Sequence, residues 1–147
     1  MPHLVLAEGP ALRAALEKLP PQTFRGGEYI LALKRAYLSL EGDSAVIRCV
    51  LVEPLLTHAV YFVAGAHEEG LILKVDGAVS PLRTDGVKWS IARLGVELLQ
   101  QFSGEFPRMH IARTNLGREV RFNWKLRGGP LVTQVPHRLG TFVDDGG

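Results

Sequence analysis

Ala45-Val-Ile-Arg-Cys-Val-Leu-Val52, then Pro54, then His58-Ala-Val-Tyr-Phe-Val-Ala64: the fold turns on how this stretch is read. Both runs are short, rich in β-branched and aromatic residues, and separated by a proline, the signature of two strands. Neither alternates cleanly. Val46, Ile47, Val50, Leu51 and Val52 fall on both faces of the first strand, and Val60, Tyr61, Phe62 and Val63 on both faces of the second. A strand that is apolar on both sides needs an apolar neighbour on each. One side can be covered by the domain's own helix, and the other calls for a second layer, a partner or a ligand.

Upstream, Tyr29 to Leu40 is a further apolar run, with Lys34-Arg35 in its middle as a bend or exposed point, and Gly42-Asp43-Ser44 supplies the turn into residue 45. Gln22 to Glu28 reads as a loop. Before it, Pro10 opens a short helix with Leu12, Leu16 and Leu19 at helical spacing, which Pro20-Pro21 stops. Downstream, Leu71, Leu73, Val75 and Val79 share one face of a strand while Lys74 and Asp76 take the other. Asp85 reads as the N-cap of the longest helix, about Gly86 to Phe102, whose Val87, Ile91, Leu94, Leu98 and Phe102 form a continuous stripe widened by Leu99. A last hairpin is expected from Met109–Arg113, the turn Thr114–Gly117, and Arg118–Lys125, with Val120, Phe122 and Trp124 pointing one way.

This order predicts an α+β fold: an antiparallel sheet of about six to seven strands packed on one long helix, with a short N-terminal helix. Residues 1–147 read as a single domain, compact over about 10–125, with 126–147 as an extended C-terminal tail. The length of 147 residues suffices for a core without disulfides, and Cys49 is the lone cysteine. No run approaches the apolar length of a membrane-crossing helix. The start, Met1-Pro2-His3-Leu4-Val5-Leu6-Ala7-Glu8, lacks the basic opening of a secretory leader, so the chain reads as cytoplasmic or as one whose leader has been removed.

Catalytic chemistry is hard to place. His3, His58, His67, His110 and His137 are scattered, with no metal-binding spacing among them. No serine has a nucleophile-elbow setting, Cys49 reads as a buried thiol, and Gly26-Gly27 and Gly128-Gly129 lack the lysine of a phosphate loop. The expectation is a chain with no catalytic residues, no metal and no cofactor, unless folding gathers His58, His67 or His110 with a carboxylate. Net charge is +2, too near balance to demand a polyanion. From Arg108 to Arg138 the balance shifts to seven cations against Glu119, making Arg113, Arg118, Arg121 and Lys125 candidate anion contacts. Nucleic acid is disfavoured there, because Phe122 and Trp124 point with the core.

Three stretches resemble bacterial tubular lipid-binding domains of the TULIP superfamily. They are Pro10 to Leu19, Ala36 to Val52, and Glu69 to Val79 leading into Val87–Phe102. The resemblance implies a sheet wrapped around a helix with lipid chains in the apolar seam, and puts Phe62, Leu73, Ile91, Leu94, Leu98 and Phe102 along that seam. The expected function is non-enzymatic binding of an apolar or lipid-like ligand between long helix and sheet. The alternatives are a protein-interaction or homodimerisation module, and, less favoured, nucleic-acid binding by the basic C-terminal hairpin.

Overall fold

The computed structural model describes residues 2–19, 21–78 and 82–120. Its elements run β1 (His3–Ala7), α1 (Leu12–Glu17), β2 (Gln22–Gly26), β3 (Tyr29–Leu38), β4 (Ser44–Glu53), β5 (Leu56–His67), β6 (Gly70–Val75), α2 (Asp85–Phe102) and β7 (His110–Thr114). Seven strands form one sheet in the order β2-β3-β4-β5-β6-β1-β7. Every neighbouring pair is antiparallel.

The expected sheet laid on one long helix is corrected. Strands hold 46% and helices 23% of the described residues, and the seven strands curl into a half-barrel. Curvature changes what a helix does against such a sheet. A helix on a flat layer buries one stripe, yet α2 buries fourteen of its eighteen residues, on all sides. Even Arg93 and Glu97 are buried, paired at 2.8 Å, with the Arg93 guanidinium 4.5 Å from the centre of the Phe24 ring. The sheet is the frame, and α2 is a plug inside it.

Two strands are absent from the sequence reading. β1 is Leu4-Val5-Leu6-Ala7 after His3, between β6 and β7, and is buried on both faces: Leu4 and Leu6 join the main core, and Val5 and Ala7 pack with Ile72 and Ala112 on the other side. β2 occupies residues read as loop, and its Phe24 packs inward opposite Leu31. The downstream hairpin is also corrected. β7 is present, but residues 118–120 take a helical turn rather than a strand. The rest of that expected strand, and the expected tail, lie outside the described residues.

The hairpin β4–β5 pairs in register from Ser44↔Gly65 to Glu53↔Leu56. Its inner residues Ala45, Ile47, Cys49, Leu51, Val60, Phe62 and Ala64 are all buried, whereas Val46, Val50, Val52 and Val63 on the outer face are half-buried. Lys34-Arg35, the bend in the apolar run, coincides with a break in register: Leu33 faces Cys49 and Arg35 faces Arg48, leaving Lys34 as the extra residue.

α1 and α2 differ sharply in reach. Pro10 and Pro20-Pro21 confine α1, which spans six residues or about 9 Å, against eighteen or about 27 Å for α2. Strands β3 and β4 are ten residues each, about 33 Å long. A helix as short as α1 leaves part of their inner face bare.

Candidate functional site

The bare part is a pocket of about 410 Å³ between α1 and the far half of β3. Leu16 and Leu19 on the helix side, with Leu33, Leu38 and Ile47 from the sheet, supply an apolar floor. Arg13, Lys34 and Arg35 stand around it, with Glu17 and Pro21 completing the rim and Ala36 between them. The volume falls within the roughly 300–1,000 Å³ range of small-ligand sites.

The charges at the rim are unbalanced. No hydrogen bond or ion pair ties Arg13, Lys34 or Arg35 to another described residue. Arg13 reaches toward the β3–β4 turn, where its Nη2 would lie 3.6 Å from a Cβ on Gly42. At the other end, Arg35 stands directly across the ladder from Arg48, and like charges opposite one another destabilise an antiparallel pair. Nearby Lys18 is spoken for, pairing with Glu105 and standing 4.4 Å over the Phe102 ring. The protein thus pairs a neighbouring cation and leaves three rim cations against a single acid, Glu17, with no ion pair to them among the described residues.

The six residues expected to line a seam are all deep in the core. Phe62, Leu73, Ile91, Leu94, Leu98 and Phe102 belong to one continuous buried cluster, each no more than 2% exposed. None of them lines the pocket. Shape complementarity is tight along α2, where a Cβ on Gly95 would come within 2.7 Å of Leu4.

The candidate anion contacts are not gathered. Arg113 donates to Glu69 at 2.6 Å and lies 3.4 Å from Nε2 of His67, so its charge is already matched. Arg118 is exposed on the helical turn after β7. Arg121 and Lys125 lie outside the described residues.

One histidine meets a carboxylate directly, and a second lies beside an arginine–carboxylate pair. His58 Nε2 is 2.7 Å from Glu53 Oε2. The same carboxylate accepts from Thr84 Oγ1 at 2.8 Å and from the Gly86 N–H at 3.2 Å. Glu53 is the last inward-facing residue of β4, and its charge is placed at the N-terminus of α2, where the helix dipole favours it. Its oxygens are therefore committed to holding the helix, and neither Glu53 nor His58 borders the pocket. His67 approaches Glu69 through Arg113 and accepts from the Glu69 N–H at 3.1 Å. Burial pushes the Cys49 thiol up to about 12, which keeps it from acting as a thiolate nucleophile. Among the described residues no three His, Cys, Asp or Glu side chains form a metal-sized group, and no helix is long and apolar enough to cross a membrane.

Sequence reasoning missed this pocket, although two of its signals were visible. Lys34-Arg35 inside an apolar run and the prolines that truncate α1 both stand in the sequence. What could not be read is that helix 12–17 folds back over that particular bend.

No protein-family profile, no curated protein and no solved structure matches this chain.

Proposed function

We propose that this chain is a non-enzymatic binding domain whose ligand lays an apolar group in the pocket between α1 and β3 and an anionic group against Arg13, Lys34 and Arg35. The observation that carries the reading is an apolar floor ringed by three cations with no partner among the described residues. A solvated cation on a convex surface needs no explanation, but three cations lining one concave apolar pocket match a molecule that is oily at one end and acidic at the other. This keeps the apolar, lipid-like ligand that the TULIP resemblance implies and moves it from α2, which is closely packed, to α1.

The test is a calorimetric titration with dodecanoate and, separately, with dodecyltrimethylammonium, which has the same tail and the opposite charge. Dodecanoate is expected to bind at least tenfold more tightly. Replacing Arg13, Lys34 and Arg35 together by alanine should remove that preference, and Ala36→Trp, which fills the pocket from an exposed position, should block binding. Equal affinity for the two amphiphiles, or binding untouched by Ala36→Trp, would sink the reading.

A further inference from the structure

The pocket borders a strand edge as well as a strand face. Leu33, Lys34, Arg35 and Ala36 are consecutive, and all four line it. Past the bulge at Lys34, Arg35 and Ala36 pair in regular register and their side chains point to opposite faces, so a cavity touching both reaches the backbone at the strand edge. Among the described residues, no strand pairs with that stretch of backbone on its outer side. β2 pairs with β3 from Gln22↔Leu33 to Gly26↔Tyr29 and goes no further, because Pro21 has no N–H to continue the ladder. Past Leu33, β3 pairs with β4 alone.

The direction of the open groups follows from the ladder. The Ser39 N–H donates to the Ser44 carbonyl at 2.8 Å, so these two residues form a hydrogen-bonded pair. Pairs alternate along an antiparallel ladder, which leaves Ala36↔Ile47 and Leu38↔Ala45 as the non-hydrogen-bonded positions. The N–H and C=O of Ala36 and Leu38 therefore point away from β4, into the groove beside α1. At the end where β2 stops, the Gln22 side-chain nitrogen is buried without an acceptor. An exposed row of backbone donors and acceptors is a template for one more strand.

We propose that the occupant of this site is an extended peptide segment that adds to the open edge of β3 over Arg35–Leu38. An apolar side chain of the segment sits on Leu33, Leu38 and Ile47, and a carboxylate meets the Arg13, Lys34 and Arg35 cations. Main-chain hydrogen bonds to Ala36 and Leu38 provide the affinity, and the pocket with its charges provides the selection, as in other strand-addition modes. The carboxylate can be an acidic side chain or the segment's own C-terminus. This inference rests on the reading of the pocket as a site for an apolar, anionic ligand, and it names the class of that ligand.

The probes are a fluorescent hexapeptide of alternating valine and glutamate with a free C-terminus, and two copies N-methylated at alternate residues in the two possible registers. The free peptide is expected to bind and to slow hydrogen exchange at the Ala36 and Leu38 amides. One N-methylated copy should lose at least tenfold in affinity while the other loses little, because only every second amide of an added strand faces β3. Ala36→Pro, which deletes an edge-facing N–H without breaking the β4 ladder, should weaken the free peptide in the same way. A C-terminally amidated copy identifies the carboxylate: retained affinity assigns it to a glutamate side chain, lost affinity to the terminus. Equal losses for both N-methylated registers, or unchanged exchange at Ala36 and Leu38, overturn strand addition. Binding of dodecanoate without any binding of the peptide overturns it too, while leaving the pocket reading in place; if neither binds, both fall.

Discussion

The two helices cover the same concave face with opposite results. Over β1, β4 and β6, α2 buries a continuous stripe and more, closing the core so tightly that a Cβ on Gly95 would displace the Leu4 side chain. Over the far half of β3, α1 is too short to do the same and leaves about 410 Å³ open to a cationic rim. The difference lies in helix length and in the company each charge keeps. Arg93 inside the closed half is paired with Glu97, and Glu53 is matched by three donors, whereas the rim of the open half holds three cations against one acid, Glu17, with no ion pair among the described residues. A fold optimised for stability throughout would have closed both halves.

Single-residue truncations should expose this contrast most strongly. Leu94→Ala on α2 is expected to lower unfolding stability by about 2–5 kcal/mol, the range for a buried leucine that leaves a cavity. Leu38→Ala on the pocket floor, where the side chain is half-buried at the edge of the core, should lower it by about 1 kcal/mol or less. Denaturant melts of both variants check this, and similar losses would mean that the α1 side is packed like the α2 side.

Polar commitments should divide along the same line. Glu53→Ala removes the acceptor for Thr84, Gly86 and His58, and is expected to destabilise by about 3 kcal/mol, with α2 fraying from its start in hydrogen exchange. Glu17→Ala on the pocket rim removes no paired group and should change stability by less than about 0.5 kcal/mol. A loss at Glu17 as large as that at Glu53 would erase the distinction.

The last contrast is one of pH dependence, at the boundary between the halves, where Cys49 lies opposite Leu33. Folding raises the Cys49 thiol from an ordinary 9.0 to about 12. A raised value stabilises the protonated, folded form. Its contribution is complete below pH 9, where the thiol is protonated in both states, and is lost as pH rises from about 9 to 12. Compared with the parent, Cys49→Val should show a shallower fall in stability across that window, by at most about 1.4 kcal/mol per pH unit. Identical slopes would show that folding does not raise the Cys49 thiol.

Much of the sheet was legible from its own residues. The hairpin β4–β5, the interruption at Lys34-Arg35 and the helix ending at Phe102 all follow from proline placement, branched side chains and periodicity, although the cap is Thr84, whose hydroxyl accepts from the Val87 N–H, and not the expected Asp85. β2 was not legible, because Gln22-Thr-Phe-Arg-Gly has one large apolar residue, Phe24, whose burial depends on a neighbour and on the distant Arg93. β1 was missed for the opposite reason: a short, wholly apolar run next to the N-terminus has no alternation to mark it as a strand. The amphipathic reading of α2 failed at Arg93 and Glu97. Periodicity counts charged residues as wet, yet an i, i+4 ion pair can be buried when each side satisfies the other.

By itself, then, the sequence determined the local elements: where proline stops a helix, where branched residues run as strands, and which helix has an apolar stripe. Only the tertiary structure decided that the sheet curls around α2, that α1 folds back over the Lys34 bulge, and that Arg13 meets Lys34 and Arg35 across some twenty residues of chain. The physical reason is that propensity and periodicity act between neighbours a few residues apart, whereas a pocket is a shortfall in coverage between distant segments, set by their lengths and by how the sheet bends.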